Sequence, residues 1–134
     1  MSARIGVIGA GGWGTALSLL LHRNGHDVDL WEFFPEYAER RAALRRNPDF
    51  LPGVEIPGEI RITSDLGAAV RDKDVLVFAV PSHVLRRVAV QVSGFGIGRY
   101  LVVSAVKGIE NETLLRMSEV LRAAWAGLLQ PDRI

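Results

Sequence analysis

The chain has 134 residues, no cysteine and a formal net charge of +1, with 49% hydrophobic and 23% charged residues. These values fit one globular domain, and they exclude a disordered chain, a fibre, a disulfide scaffold and a thiolate metal site. The balanced charge gives no electrostatic basis for binding nucleic acid or an acidic membrane. Because the lack of cysteine suits a reducing compartment, we expect a cytoplasmic protein.

The first apolar stretch, residues 5–21, carries no charged side chain. Such a stretch is also typical of a signal peptide or a short membrane span. However, five of its residues are glycines, where a membrane helix would carry leucine. A buried strand over Arg4–Ile8, a glycine turn and a helix over residues 15–24 explain the same residues better, so we predict no membrane span.

The rest of the chain alternates between strand and helix patterns. Strands are predicted at Asp27–Trp31 and at residues 60–63, 74–80 and 100–104. Helices are predicted at residues 35–46, from Ser64 or Asp65 to Val70, from Pro81 and Ser82 through Val84, Leu85, Val88 and Val92, and after Asn111, where Leu114, Met117, Leu121 and Ala124 share one face. Residues 47–58 contain three prolines and are predicted to be a loop. The alternation predicts an α/β fold, a doubly wound parallel sheet of the Rossmann type with helices on both faces, which ends before a sixth strand.

The glycine turn is the most informative motif. Residues 9–14 (GAGGWG) fit the pattern G-x-G-x-x-G, and they lie between a predicted strand and a predicted helix. Gly9 permits a tight turn, Gly11 lets a pyrophosphate approach the backbone, and Gly14 lets the helix pack closely on the strand. The helix N-terminus also attracts phosphate. The motif therefore predicts dinucleotide binding, the alternative being a glycine-rich turn without a ligand.

Glu32 follows the second predicted strand, eighteen residues after Gly14. A carboxylate there accepts hydrogen bonds from the adenosine ribose and repels a 2′-phosphate, which favours NAD over NADP. The alternative is an ordinary solvated acid at a strand end. The nearby arginines would soften this preference if they faced the site, but we expect them to form the solvated face of their helix. These arginines are Arg40, Arg41, Arg45 and Arg46.

Two loops follow the fourth and fifth predicted strands and are expected to face the ligand crevice. The first contains Pro81, Ser82 and His83, of which His83 is interpreted as a residue at the start of a helix. The second contains Lys107, whose ammonium group is suited to hold a phosphate or polarise an oxygen, although a solvated loop lysine is the alternative. No cluster of His, Asp and Glu has metal-ligand spacing, so no metal site is expected.

Five runs of residues, in order, resemble the N-terminal cofactor domain of bacterial NAD(P)-dependent glycerol-3-phosphate dehydrogenase. They are GAGGWGTAL, NGHDVDLWE, NPDFLPGV, VPSHVLR and VKGIENETLLRMSEVL. The resemblance implies that the enzyme reduces dihydroxyacetone phosphate to sn-glycerol 3-phosphate, a phospholipid precursor, with NADH or NADPH as the cofactor. We expect NAD here, with NADP as the alternative.

The resemblance also assigns roles to residues of the turn and loops. Gly12 and Trp13 would close over the pyrophosphate, Phe33 and Phe34 would lie at the adenosine end, Pro81 would line the cofactor crevice, and Lys107 would touch both cofactor and substrate. The catalytic lysine of the family belongs to a helical domain expected beyond Ile134, so no catalytic residue is assigned in this chain.

Residues 1–134 are accordingly expected to be the NAD-binding domain of a longer enzyme, which binds cofactor without turnover. An open edge on the fifth strand would allow pairing into a homodimer. Two alternatives are a standalone NAD-binding or redox-sensing module and a different dehydrogenase, of the 2-hydroxyacid or ketopantoate type. The runs NPDFLPG and KGIE argue against the different dehydrogenase.

Overall fold

The computed structural model describes residues 1–97, 99–129 and 131–134. The strands are β1 (Arg4–Ile8), β2 (Asp27–Trp31), β3 (Arg46–Asn47), β4 (Leu51–Glu55), β5 (Arg61–Thr63), β6 (Val75–Phe78) and β7 (Leu101–Ser104). The α-helices are α1 (Gly12–Arg23), α2 (Pro35–Leu44), α3 (Leu66–Val70), α4 (Leu85–Ser93) and α5 (Met117–Ala124). Single 3-10 turns cover Ser82–Val84 and Pro131–Arg133.

Five strands form a parallel sheet in the order β5-β2-β1-β6-β7. The chain starts at the centre, moves outward to β5, returns to β6 beside β1 and moves outward again to β7. Ile8 is in register with both Trp31 and Phe78, so the carboxyl ends of the three central strands lie at one edge. This arrangement confirms the doubly wound parallel sheet and places its topological switch point between β1 and β6, where such folds bind ligands.

Helices cover both faces of the sheet, as predicted. One buried cluster joins Leu76 and Phe78 to α3, α4 and α5, and the indole of Trp125 donates a 2.8 Å hydrogen bond to the Ala89 carbonyl within it. The other cluster joins Val7 and Leu30 to α1. The core therefore has two layers, and the alternation of side chains along each strand supplies both.

The loop predicted for residues 47–58 contains a two-stranded antiparallel hairpin, formed by β3 and β4, so that prediction was wrong. Asn47 is fully buried, and its amide donates to the Ala10 carbonyl at 3.0 Å and to the Thr15 hydroxyl at 2.9 Å. These contacts anchor the hairpin to α1 across the fold. A pattern of prolines cannot reveal such an anchor, because its partners lie more than thirty residues away.

The last helix begins later than predicted. Asn111 does not cap it, since α5 begins at Met117, and Glu119 accepts a hydrogen bond from the Arg116 N–H at 2.8 Å. Leu114 has a φ of 58° and is exposed, so it is not on the buried helix face that contains Met117 and Leu121. A backbone hydrogen bond from Glu110 N–H to the Leu115 carbonyl (2.9 Å) closes the preceding loop instead.

β7 is an outer strand of the five-stranded sheet that the described residues form. Leu101 and Val103 are also half-exposed on the face of the sheet that α1 covers elsewhere. Among the described residues, no helix is long and apolar enough to cross a membrane.

Candidate functional site

A cavity of about 620 Å³ lies at the carboxyl edge of the sheet, over the switch point between β1 and β6. Its walls are the glycine turn, the end of β2, and the loops that follow β6 and β7. Nine residues predicted to bind cofactor line it: Gly9, Gly11, Gly12, Trp13, Glu32, Phe33, Phe34, Pro81 and Lys107. The tenth, Gly14, lies behind the turn. The fold thus brings together residues spread over 99 positions of sequence.

The glycines of the turn meet different steric demands. Gly9 has a φ of 119°, and a Cβ there would lie 2.7 Å from the Ala79 backbone, while a Cβ on Gly14 would lie 1.7 Å from the Gly9 carbonyl oxygen. A Cβ on Gly11 would meet nothing within 4 Å. Gly9 and Gly14 are therefore needed for backbone packing, whereas Gly11 borders open space in the cavity.

The N-terminus of α1 lies at this cavity, which Gly11, Gly12 and Trp13 line. The first intrahelical bond runs from the Thr15 N–H to the Gly11 carbonyl at 3.0 Å, so the N–H groups of residues 12–14 precede it. No side chain caps the helix, and its first turn contains no acidic residue. Because these N–H groups and the helix dipole favour anions, the turn fits the pyrophosphate of a dinucleotide.

Glu32 is buried at the end of β2, which excludes the interpretation as a solvated acid. Its Oε2 accepts a hydrogen bond from Nη1 of Arg41, and its Oε1 accepts one from the Phe34 N–H at 3.3 Å. Glu32 lines the cavity, and a carboxylate oxygen can accept a second hydrogen bond, so a ribose hydroxyl is a compatible donor.

The prediction that the arginines of α2 are solvated was wrong for Arg41, which is 2% exposed. Its Nη1 donates to the Ala10 carbonyl at 3.0 Å in addition to Glu32. Arg45 is half-buried and donates to the Ile56 carbonyl at 3.2 Å, while Arg40 and Arg46 are exposed as expected. Helical periodicity missed Arg41 because its buried partners come from other elements.

Aromatic side chains form the wall beside Glu32. The rings of Phe33 and Phe34 pack edge to face, with their centroids 4.9 Å apart, and the centroids of the Phe34 and Tyr37 rings are 5.3 Å apart. Phe50, from the hairpin, lines the same cavity, and its carbonyl oxygen would lie 2.6 Å from a Cβ on Gly12. These rings offer apolar surface suited to a nucleobase. Tyr37 and Phe50 were not predicted as site residues, although Phe50 lies within the run NPDFLPG.

The opposite wall carries positive charge. Lys107 lines the cavity with Ser82, His83 and Arg87, and no acidic side chain in the described part of the chain forms an ion pair with Lys107. Lys107 is exposed and borders the cavity, so its ammonium group is accessible both to solvent and to a ligand in the cavity. His83 lies in the 3-10 turn before α4, as expected for a residue at a helix start.

An ion pair holds the loop that contains Lys107. Arg86, on α4, donates two hydrogen bonds to Glu110, at 2.9 and 2.8 Å. The hydrogen bonds from Arg86 and Thr113 lower the pKa of Glu110 from its usual 4.5 to about 2. The carboxylate is therefore charged at neutral pH and ties the loop after β7 to α4. No group of three or more potential metal ligands occurs among the described residues.

Comparison with known proteins identifies the family. The family described as NAD-dependent glycerol-3-phosphate dehydrogenase N-terminus matches residues 4–127. The chain belongs to this family. The sequence resemblance, which covers the same turn, hairpin and loops, is thereby confirmed.

Individual relatives agree with this assignment. The chain is 44% identical over 127 residues to a glycerol-3-phosphate dehydrogenase [NAD(P)+] of Syntrophobacter fumaroxidans, covering 95% of this chain and 36% of that protein. It is 46% identical over 123 residues to the enzyme of the same name from Geobacter sulfurreducens, covering 92% of this chain and 37% of the relative. The chain thus spans about a third of the length of these relatives.

A solved structure shows the same fold. The glycerol-3-phosphate dehydrogenase of Coxiella burnetii aligns with a TM-score of 0.87 at 26% identity, covering 96% of this chain and 39% of that one. The family member described here therefore has the backbone arrangement of the corresponding part of that enzyme.

Proposed function

We propose that this chain binds NADH, and also NADPH, as the cofactor domain of a glycerol-3-phosphate dehydrogenase. The observation that carries the proposal is the uncapped N-terminus of α1, which opens with the glycine turn onto a cavity at the switch point of the sheet. Membership of the family supports the same ligand.

The cavity suggests how each part of the cofactor would be held. The N–H groups of residues 12–14 bind the pyrophosphate, and Trp13, 55% exposed, covers it. Glu32 accepts a ribose hydroxyl, and the aromatic wall of Phe33, Phe34, Tyr37 and Phe50 packs against the adenine. Pro81 borders the path from the pyrophosphate toward the loop of Lys107.

The proposed reaction is the reduction of dihydroxyacetone phosphate to sn-glycerol 3-phosphate, for which the nicotinamide supplies the hydride. The ammonium group of Lys107 orients the cofactor and an oxygen of the substrate. In the relatives, the sequence outside the matching part is about twice as long as the matching part itself. We assign the proton donor and the main substrate-phosphate contacts to that non-matching part. Residues 1–134 are proposed to bind cofactor without turnover.

Tryptophan fluorescence tests the binding site directly. NADH added to the purified chain should quench tryptophan emission and show energy transfer, since Trp13 and Trp31 both line the cavity. Trp13→Phe should remove a large part of this change. Trp125→Phe is the matched control, because Trp125 is buried against Phe78 at 5.6 Å, away from the cavity. Equal responses in both variants would contradict the placement of the cofactor.

A second experiment separates the proposal from the alternatives. We expect NADH oxidation with dihydroxyacetone phosphate by a protein that joins this chain to a relative's remaining sequence, and none by the chain alone. Turnover by the chain alone would contradict the proposal that residues 1–134 bind cofactor without catalysing the reaction. Binding without turnover in either protein would favour a standalone NAD-binding module. Turnover with a 2-hydroxyacid or ketopantoate instead would indicate a different dehydrogenase.

Homodimer formation remains a prediction that rests on the open edge of β7. Sedimentation velocity tests it, with Val103→Lys as a variant that places a charge on the exposed side of this strand. A monomer at all concentrations in the parent chain would contradict it. The cytoplasmic location likewise remains a prediction.

A further inference from the structure

One buried guanidinium connects the glycine turn, where the pyrophosphate is proposed to bind, to the adenosine end of the proposed cofactor site. Nη1 of Arg41 donates both to the Ala10 carbonyl, in the glycine turn, and to Oε2 of Glu32, at the end of β2. The Arg41 and Glu32 side chains are 2% and 10% exposed. An ion pair this far from solvent is screened little by salt.

The same guanidinium has unused hydrogen-bonding capacity. Its Nε and Nη2 are buried and have no hydrogen-bond partner. Its Cζ lies 5.6 Å from the ring centroid of Tyr37 and 5.5 Å from that of Phe50, and both rings line the cavity. Arg41 thus places a positive charge with two free donor groups directly behind the wall that faces the adenosine end.

This charge changes the effect of Glu32 on a cofactor. A lone carboxylate at the end of β2 repels a 2′-phosphate, and this repulsion is the usual reason for NAD specificity. Here Arg41 compensates the carboxylate, so the pair has no net charge. The Phe34 N–H adds a further donor at Oε1. A 2′-phosphate near Glu32 therefore meets no uncompensated negative charge.

We propose that Arg41 is the residue that sets the tolerance of this chain for 2′-phosphorylated dinucleotides, acting through its ion pair with Glu32. The inference rests on the proposed function, since it concerns the same cavity. Arg41 is a specificity-determining residue that acts by charge and position. With Arg41 present, NADPH and NADH bind with similar affinity; without it, Glu32 excludes NADPH.

The test is the ratio of the dissociation constants of NADPH and NADH, measured by tryptophan fluorescence. Arg41→Gln should raise this ratio on the order of tenfold or more, because an uncompensated charge near a phosphate in a partly buried site has a large effect. Glu32→Gln should lower the ratio below that of the parent. The double variant should return the ratio toward the parent value, since both charges are then absent.

Arg40→Gln is the matched control. Arg40 precedes Arg41 on α2, is 53% exposed and pairs with Asp49 at 3.7 Å. Its removal changes the net charge by the same amount, yet it should change the ratio less than twofold, and any change should vanish at high salt. A general structural weakening of the turn would lower the affinity for both nucleotides and leave the ratio unchanged.

The outcomes separate the two proposals. If the parent binds neither nucleotide, the proposed function is wrong. If NADH binds and the ratio is the same in the parent, Arg41→Gln and Glu32→Gln, the proposed function stands and the role of Arg41 is wrong. If circular dichroism shows that Arg41→Gln does not fold, two other variants test the proposal. The NADPH-to-NADH ratio of dissociation constants should be lower than the parent's in Glu32→Gln and close to the parent's in Arg41→Lys. Any other result overturns the proposal.

Discussion

At the amino ends of the parallel strands, oppositely charged side chains contact each other, whereas at the carboxyl ends a lysine and a helix N-terminus face a cavity without acidic partners. Arg4 pairs with Asp74 at 3.2 Å, and Lys73 pairs with Asp29 at 2.7 Å, at the amino edge. A cavity of about 560 Å³ lies there as well, so cavity size does not distinguish the two edges.

The use of charge distinguishes them. Charges that neutralise each other within the fold hold the strands together and leave little field for a ligand. Lys107 has no acidic partner among the described residues, and the turn before α1 has no side-chain cap, so their positive potential remains available to an anion. The carboxyl edge also contains two internal ion pairs, Glu32–Arg41 and Arg86–Glu110, but only this edge combines them with an unpaired lysine and an uncapped helix N-terminus among the described residues. We therefore expect ligand binding at the carboxyl edge and a purely stabilising role for the charges at the amino edge.

The largest expected effect is a loss of stability at the glycine turn, where two glycines have different roles. Gly14 is needed for backbone packing, and Gly11 borders the proposed binding site. Gly14→Ala should destabilise the chain by about 3 kcal/mol, because the new Cβ would lie 1.7 Å from the Gly9 carbonyl oxygen. Gly11→Ala should change stability by less than about 0.5 kcal/mol, since its Cβ meets nothing within 4 Å. It should still weaken NADH binding, because the methyl group would enter the space proposed for the pyrophosphate. Urea denaturation and fluorescence titration measure the two quantities, and equal stability losses would contradict the assignment.

A pair of lysine variants tests the comparison directly. Lys73→Met should destabilise the chain by about 2 kcal/mol, because it leaves the buried carboxylate of Asp29 with a poorer set of partners. Lys107→Met should leave stability unchanged and weaken NADH binding on the order of tenfold, since it removes a charge at the cavity. Lys73→Met should not weaken NADH binding, and Lys107→Met should not lower stability. If Lys73→Met weakened binding in the folded protein, the two edges would not have separate roles.

The smallest expected effect concerns pH. The folded-state pKa of Glu110 is lowered from 4.5 to about 2, so the Arg86–Glu110 pair stabilises the chain fully above about pH 5 and is lost as the pH falls toward 2. Arg4 likewise lowers the pKa of Asp74 at the amino edge, so this pair also loses its stabilising effect as the pH falls. Glu110→Gln and Asp74→Asn should each flatten the fall of the urea midpoint in this range.

The two variants should differ in binding at neutral pH. Glu110→Gln should weaken NADH binding a few-fold, because it loosens the loop that positions Lys107, whereas Asp74→Asn should leave it unchanged. Equal binding by both variants would show that the ion pair at Glu110 has no part in positioning that loop.

Local patterns predicted the parts of the fold that depend on neighbours in sequence. The strands at Arg4–Ile8 and Asp27–Trp31 were predicted with their observed bounds, the first from a β-branched run that ends at glycines and the second from alternating apolar residues. The glycine turn was placed correctly because the G-x-G-x-x-G spacing is itself a local pattern. The hairpin of β3 and β4 was missed because its main anchor, Asn47, bonds to Ala10 in the glycine turn and to Thr15 in α1, both more than thirty residues away.

By itself, the sequence determined the doubly wound fold, the glycine turn and the loops that meet at the switch point, since periodicity and glycine spacing act over a few residues. Only the tertiary structure decided the environment of Glu32. Its carboxylate was expected to act alone, but packing of α2 against the turn places Arg41 beside it and removes both from water. The sequence of α2 does not show which of its arginines is buried, because burial depends on the surface that the helix contacts.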